Sequence, residues 1–91
     1  MPEREHGDHQ VLIFIINGQD FLVRANFRAP LRVAVQHALT ESGNTARPLD
    51  EWEVRAIKGV LLDTQRSPSE LGLHDRARLF LSLQVGAGGV G

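Results

Sequence analysis

The sequence has no cysteine, and it has one methionine, one tryptophan and one lysine among its 91 residues. Without cysteine the chain can make no disulfide, no thiolate nucleophile and no cysteine-based zinc site, and nothing in it points to an oxidising compartment. Long apolar runs are also missing: no stretch approaches the roughly 20 consecutive apolar residues that cross a bilayer. Neither sign of charge dominates, since the formal net charge is -1 with a pI near 6.4 and the arginines are scattered along the chain. Nucleic acid is therefore not an expected partner, because phosphate binding calls for basic residues gathered on one face. Met1 to His9 is charged and polar without an apolar segment, so neither a signal peptide nor an anchor is expected there. These absences lead to the expectation of a soluble cytoplasmic protein with no membrane partner.

The groups needed for catalysis are absent in the same way. His6, His9, His37 and His74 fall in the leader or in separate elements, so no metal-ligand set is expected among them. His37 should face solvent from a helix, and the adjacent acids Asp50 and Glu51 read as a solvated loop run. The expectation is a protein that is not an enzyme and carries neither metal nor cofactor.

What the chain does have is a set of short, patterned segments sufficient for one domain. A chain of this length buries roughly 60 to 65% of the surface that its unfolded form exposes, so a core is feasible without staples. Residues 1–9 read as a disordered leader, residues 10–84 as the domain, and residues 85–91 as a flexible glycine-rich arm.

The domain opens on Val11-Leu12-Ile13-Phe14-Ile15-Ile16, a β-branched and aromatic run, followed by Asn17-Gly18 and then by Phe21-Leu22-Val23. Together these form a strong hairpin signal. A two-residue turn would pair Phe14 with Phe21. A three-residue loop with Gly18 left-handed and a bulge would pair Ile13 with Phe21 and Val11 with Val23. The bulged form is favoured, with Val11, Ile13, Phe21 and Val23 inward and Leu12, Phe14, Asp20, Leu22 and Arg24 on the opposite face.

Pro30 sits where a first helical turn tolerates a missing amide. Leu31, Val35 and either Ala38 or Leu39 then recur at helical spacing, and Ser42-Gly43-Asn44 supplies a left-handed stop. Trp52-Glu53-Val54-Arg55-Ala56 alternates as a half-buried strand with Trp52, Val54 and Ala56 inward. Lys58-Gly59 breaks it, Val60-Leu61-Leu62 is a short return, and Ser69 to Leu73 is a single helical turn anchored by Leu73. Leu79, Leu81 and Leu83 share one face of a last, buried strand.

That strand runs into Val85-Gly86-Ala87-Gly88-Gly89-Val90-Gly91. Glycines lose so much backbone entropy on ordering that such a run does not fold alone. A frayed terminus is the plain alternative to a functional arm.

The order of elements resembles ubiquitin and its relatives, the β-grasp modifiers. The residues that carry the resemblance are the opening hairpin, the single helix, Lys58-Gly59-Val60-Leu61-Leu62-Asp63, Ser69-Glu70-Leu71-Gly72-Leu73, Leu79-Phe80-Leu81-Ser82-Leu83 and the Gly88-Gly89 pair. The match spans about Gln10 to Gly89. It implies an α+β fold of the β-grasp (ubiquitin-like) type, a four- to five-stranded mixed sheet packed on one helix.

The resemblance also implies a function, that of a bacterial ubiquitin-like modifier whose C-terminal glycine is conjugated to a target protein. Gly89 would be the acyl donor and Gly88 its threading partner. The implied partners are an activating enzyme using ATP, a conjugating enzyme, a target protein and a JAB-type metalloprotease that removes Val90 and Gly91; otherwise Gly91 is the terminal donor. Two departures matter, since Val85-Gly86-Ala87 are neutral where the family usually carries basic residues, and the diglycine is not terminal. Alternatives are a sulfur carrier bearing a C-terminal thiocarboxylate and a β-grasp module that binds partners without a covalent bond.

Two further expectations follow. Phe80, opposite to Leu79 and Leu81, should join Leu12 and Phe14 in an exposed apolar patch, and its position resembles that of the partner-binding patch in the ubiquitin family. Lys58 is the only lysine beside nine arginines, so self-conjugation would run through Lys58 or the amino terminus, arginine being unable to attack.

Overall fold

A computed structural model describes residues 9–84. Strands β1 (His9–Ile16) and β2 (Gln19–Asn26) are followed by helix α1 (Leu31–Glu41), a 3-10 turn (Leu49–Glu51), β3 (Trp52–Ala56) and β4 (Ala77–Leu83). The sheet has the order β2-β1-β4-β3, with β1 and β4 parallel at its centre and both outer pairs antiparallel. This is the mixed sheet on one helix of the β-grasp fold. β1 begins at His9, one residue before the expected start of order at Gln10.

The first hairpin corrects the expected register. Asn17 and Gly18 both have positive φ, 52° and 82°, and Ile16 pairs with Gln19 and Phe14 with Phe21. This is a two-residue turn of the I′ kind, whose twist matches that of the flanking strands and which asparagine followed by glycine accommodates best. No bulge forms there. Because side chains alternate along a strand, moving the pairing by one residue inverts every face of β1. Leu12, Phe14 and Ile16 are consequently in the core, at 0, 0 and 1% exposure, and Ile13 and Ile15 take the outer face. β2 has the faces expected of it, with Val23 buried and Leu22 outside.

The three-residue loop with a left-handed glycine occurs instead at Ile57-Lys58-Gly59. Gly59 has φ +91° and donates to the Ala56 carbonyl (2.8 Å), and Ala56 donates to Val60 (2.9 Å). Leu62 then donates to Val54 (2.9 Å), so Val60–Leu62 lines the free edge of β3.

Helix α1 buries Leu31, Ala34, Val35, Ala38 and Leu39 against the sheet. Its N-cap, Pro30, has no side chain able to accept from the first amides. The loop after β3 supplies the acceptors: Leu31 and Arg32 donate to the carbonyls of Arg66 (2.8 Å) and Thr64 (3.0 Å). At the other end Gly43, φ +79°, lets Asn44 donate back to Leu39 (2.8 Å), closing the helix as the left-handed stop requires. The turn at Ser67–Leu73 is held by a reciprocal pair, Ser67 N–H to Glu70 Oε1 (3.1 Å) and Glu70 N–H to Ser67 Oγ (3.2 Å). Leu71 and Leu73 from this turn, with Trp52 and Leu62, close the edge of the core.

Candidate functional site

The face of the sheet turned away from α1 follows from the registers. Across it, Leu22 of β2 aligns with Ile13 of β1 and Arg78 of β4, and Asp20 aligns with Ile15, Phe80 and Arg55. Arg55 is bridged in turn to Leu61. Register partners share a face. Leu22, Ile13, Ile15, Phe80 and Leu61 therefore form an apolar strip that runs across the strands.

Phe80, Leu22 and Leu61 are 40, 56 and 56% exposed, while Ile13 and Ile15 are half-buried. The central sheet strands keep these side chains from collapsing inward, because each alternates with a core residue: Leu79 and Leu81 beside Phe80, Phe14 between Ile13 and Ile15.

Charges frame the strip. Arg78 Nη1 lies 3.4 Å from Asp20 Oδ2. Arg55, between Phe80 and Leu61, is held by Glu53 Oε2 (2.9 Å) and donates from Nη1 to the Gly59 carbonyl (2.9 Å). The Arg55 bond ties the strip to the loop that carries Lys58, which is exposed. Ile57 and Val60 beside it are each 58% exposed.

Of the residues expected in an exposed patch, Phe80 is on the outer face, whereas Leu12 and Phe14 belong to the core because of the I′ turn. Ile13 and Ile15 replace them. The signal for this choice was present in Asn17-Gly18, the dipeptide that most favours the two-residue turn. Sequence reasoning also missed Leu61, whose place on the outer face depends on its bridge to Arg55. Gly88, Gly89 and Gly91 lie outside the described residues, as does the expected leader up to Asp8.

The last described residue is Gln84, at the pole where β4 ends. Its backbone N–H donates to the Glu51 carbonyl (2.8 Å) and its side-chain Nε2 donates to the Asp50 carbonyl (3.0 Å). Asp50, placed in a solvated loop run by the sequence, is exposed in the 3-10 turn, and Glu51 there is paired with Arg47 at 2.6 Å. His37 and His74 are exposed. Among the described residues no group of three or more histidine or acidic side chains could hold a metal ion, and no helix is long and apolar enough to cross a membrane.

A family model described as "Protein of Unknown function (DUF2604)" matches residues 6–89. A relative, the uncharacterized protein y4jI of Sinorhizobium fredii, is 37% identical over 78 residues, which cover 86% of this chain. The chain spans 60% of the length of that relative. Among solved structures, the ubiquitin-like domain of EccD5 from Mycobacterium xenopi superimposes with a TM-score of 0.61 at 21% identity, covering 84% of this chain and 94% of the domain. That likeness shows the ubiquitin-like fold.

Proposed function

The chain belongs to the DUF2604 family, and we propose that within its ubiquitin-like fold it is a protein modifier that acts through Gly89. The observation that supports this reading is the course of β4. Held between β1 and β3, it ends at one pole of the sheet, and Gly88-Gly89 follow Gln84 four and five positions later. A buried strand leading to residues that lack a Cβ suits a donor that must enter a narrow active site on another protein.

A carboxylate is a poor acyl donor until it is activated. In the proposed reaction the Gly89 carboxylate attacks the α-phosphorus of ATP and pyrophosphate leaves, giving an acyl-adenylate. A thiolate of the activating enzyme displaces AMP to form a thioester, and an amine of the target displaces the thiol to form an isopeptide bond. The chain supplies the acyl group and no catalytic side chain. An activating enzyme, a conjugating enzyme and a target protein are the partners of this scheme, and the bacterial cytoplasm, with its ATP, is the proposed setting. A JAB-type metalloprotease would first cleave after Gly89, because residues beyond it, beginning with Val90, hide the donor carboxylate.

The experiment is adenylation and thioester formation with ATP and the cognate activating enzyme. A form ending at Gly89 is expected to react and the chain extended to Gly91 to remain inert. Equal activation of both forms would make processing irrelevant, with a Gly91 carboxylate serving as donor as well as that of Gly89, and activation independent of either glycine would end the modifier reading.

The exposed strip of Leu22, Ile13, Ile15, Phe80 and Leu61 favours a second reading, a β-grasp module that binds partners without a covalent bond. In that case replacement of Gly88 and Gly89 by alanine leaves its function intact. A sulfur carrier would instead show one sulfur in place of oxygen in the intact mass of protein isolated from its host.

A further inference from the structure

We propose that Gln84 is a positioning residue that fixes the root of the glycine-rich segment; the inference rests on the modifier reading and names the group that sets its reach. The 3-10 turn at Leu49–Glu51 uses its own first carbonyls internally: Glu51 donates to Pro48 and Trp52 to Leu49. The carbonyls of Asp50 and Glu51 are left at its end without a partner inside the turn, as at any helix terminus. Gln84 satisfies both, one from its backbone N–H (2.8 Å) and one from its side-chain amide (3.0 Å).

The chain direction at this point is therefore set by two bonds on one residue and not by the sheet alone. β4 ends at Leu83, which pairs with Trp52, and the clamp carries the order one residue further. Gln84 and Trp52 also line two surface hollows together, one with Thr64 and Asp63 and the other with Thr64 and Leu49. The turn that receives the clamp is itself braced by Arg47, whose Nη1 reaches Glu51 Oε1 at 2.6 Å.

From this root five residues, 85–89, reach the donor, and at full extension they span about 17 Å. Releasing the clamp would move the root back into β4 and lengthen the stretch of chain between the last held residue and the donor carboxylate. Docking would then require more backbone to be ordered, which weakens binding without altering the chemical step. The residue type matters, because glutamate has the same shape but, ionised, can only accept. Facing the Asp50 carbonyl it cannot make the bond, whereas a lysine ammonium can.

The test uses the full chain and the form ending at Gly89, each as wild type, Gln84→Ala, Gln84→Glu and Gln84→Lys. Amide hydrogen exchange at position 84 of the full chain is the first readout. Exchange at least tenfold faster is expected in the alanine and glutamate variants, with wild-type protection in the lysine variant, while the amides of Val54 and Leu79 serve as the control for an intact fold. ATP–pyrophosphate exchange with the cognate activating enzyme is the second. The form ending at Gly89 should show KM raised about three- to tenfold by alanine and glutamate, kcat unchanged, and recovery with lysine. Equal protection at position 84 in all four proteins, or faster exchange there with an unaltered KM, overturns the proposal. If wild-type protein supports no ATP–pyrophosphate exchange the modifier reading falls, and the hydrogen-exchange pattern alone then decides whether Gln84 fixes the root.

Discussion

Arg78 on β4 and Asp20 on β2 are ion-paired at 3.4 Å although β1 lies between their strands. Arg78 is the register partner of Ile13, and Asp20 that of Ile15. The pair therefore spans β1 on the outer face, and an arginine can cover apolar surface with its aliphatic stem while its charged end stays in water. Both side chains are about half exposed, so the charge interaction itself adds little. A double-mutant cycle on Arg78→Ala and Asp20→Ala should give a coupling under about 1 kcal/mol by denaturant unfolding. Binding of an apolar dye should nevertheless increase in Arg78→Ala, since the strip beneath is uncovered.

The two faces of β1 should respond in opposite ways. Phe14→Ala and Leu12→Ala remove fully buried side chains and should cost about 3–5 and 2–5 kcal/mol respectively. Ile15→Thr and Phe80→Ser, on the outer face, should each cost about 1 kcal/mol while weakening capture of any partner that reads the strip. Denaturation midpoints paired with a binding titration separate the two classes, and global unfolding of the Phe80 variant would place that residue in the core.

The I′ turn makes a sharp local demand. Gly18 has φ +82° with open space around it, so Gly18→Ala meets no clash but pays the left-handed penalty, about 1–2 kcal/mol. Asn17→Gly should be nearly neutral, because glycine also adopts the positive φ of position 17. Thermal unfolding of the pair checks this, and a neutral Gly18→Ala would contradict the turn.

Lys58 projects from an exposed loop and is the single side-chain amine of the chain. Self-linked oligomers formed in a reconstituted conjugation reaction should disappear when Lys58→Arg is combined with a blocked amino terminus, since a guanidinium stays protonated and does not attack the activated carbonyl. Transfer to a foreign target should survive. Oligomers persisting in the doubly blocked protein would require a linkage that is not to an amine.

Much of this was legible in local pattern. Element order, the helix from Leu31 with its Gly43 stop, the burial of Leu79 and Leu81 on β4 and the outward direction of Phe80 follow from spacing, because helix and strand periods act over a few residues; Leu83, expected on the same buried face, is 41% exposed where the strand ends. The face of β1 was not legible in the same way. Val11 to Ile16 is apolar on both sides, so alternation cannot say which side is buried, and the choice falls to the turn. Asn17-Gly18 could have decided it, had the two-residue turn been preferred to the bulge that the protein places at Gly59.

What the sequence determined by itself is therefore the set of segments, their order and the residues that punctuate them, since propensity, capping and turn chemistry are properties of neighbouring residues. Only the tertiary structure decided which side chains meet across the sheet. The strip from Leu22 to Leu61, the Arg78–Asp20 pair over β1, the capping of α1 by Thr64 and Arg66 and the clamp of Gln84 on Asp50 and Glu51 all join residues from different elements. Their partners are set by strand order and register. A polar group at a helix or strand end must be satisfied by whatever the packed chain brings to it, and no local pattern in the sequence records what that will be.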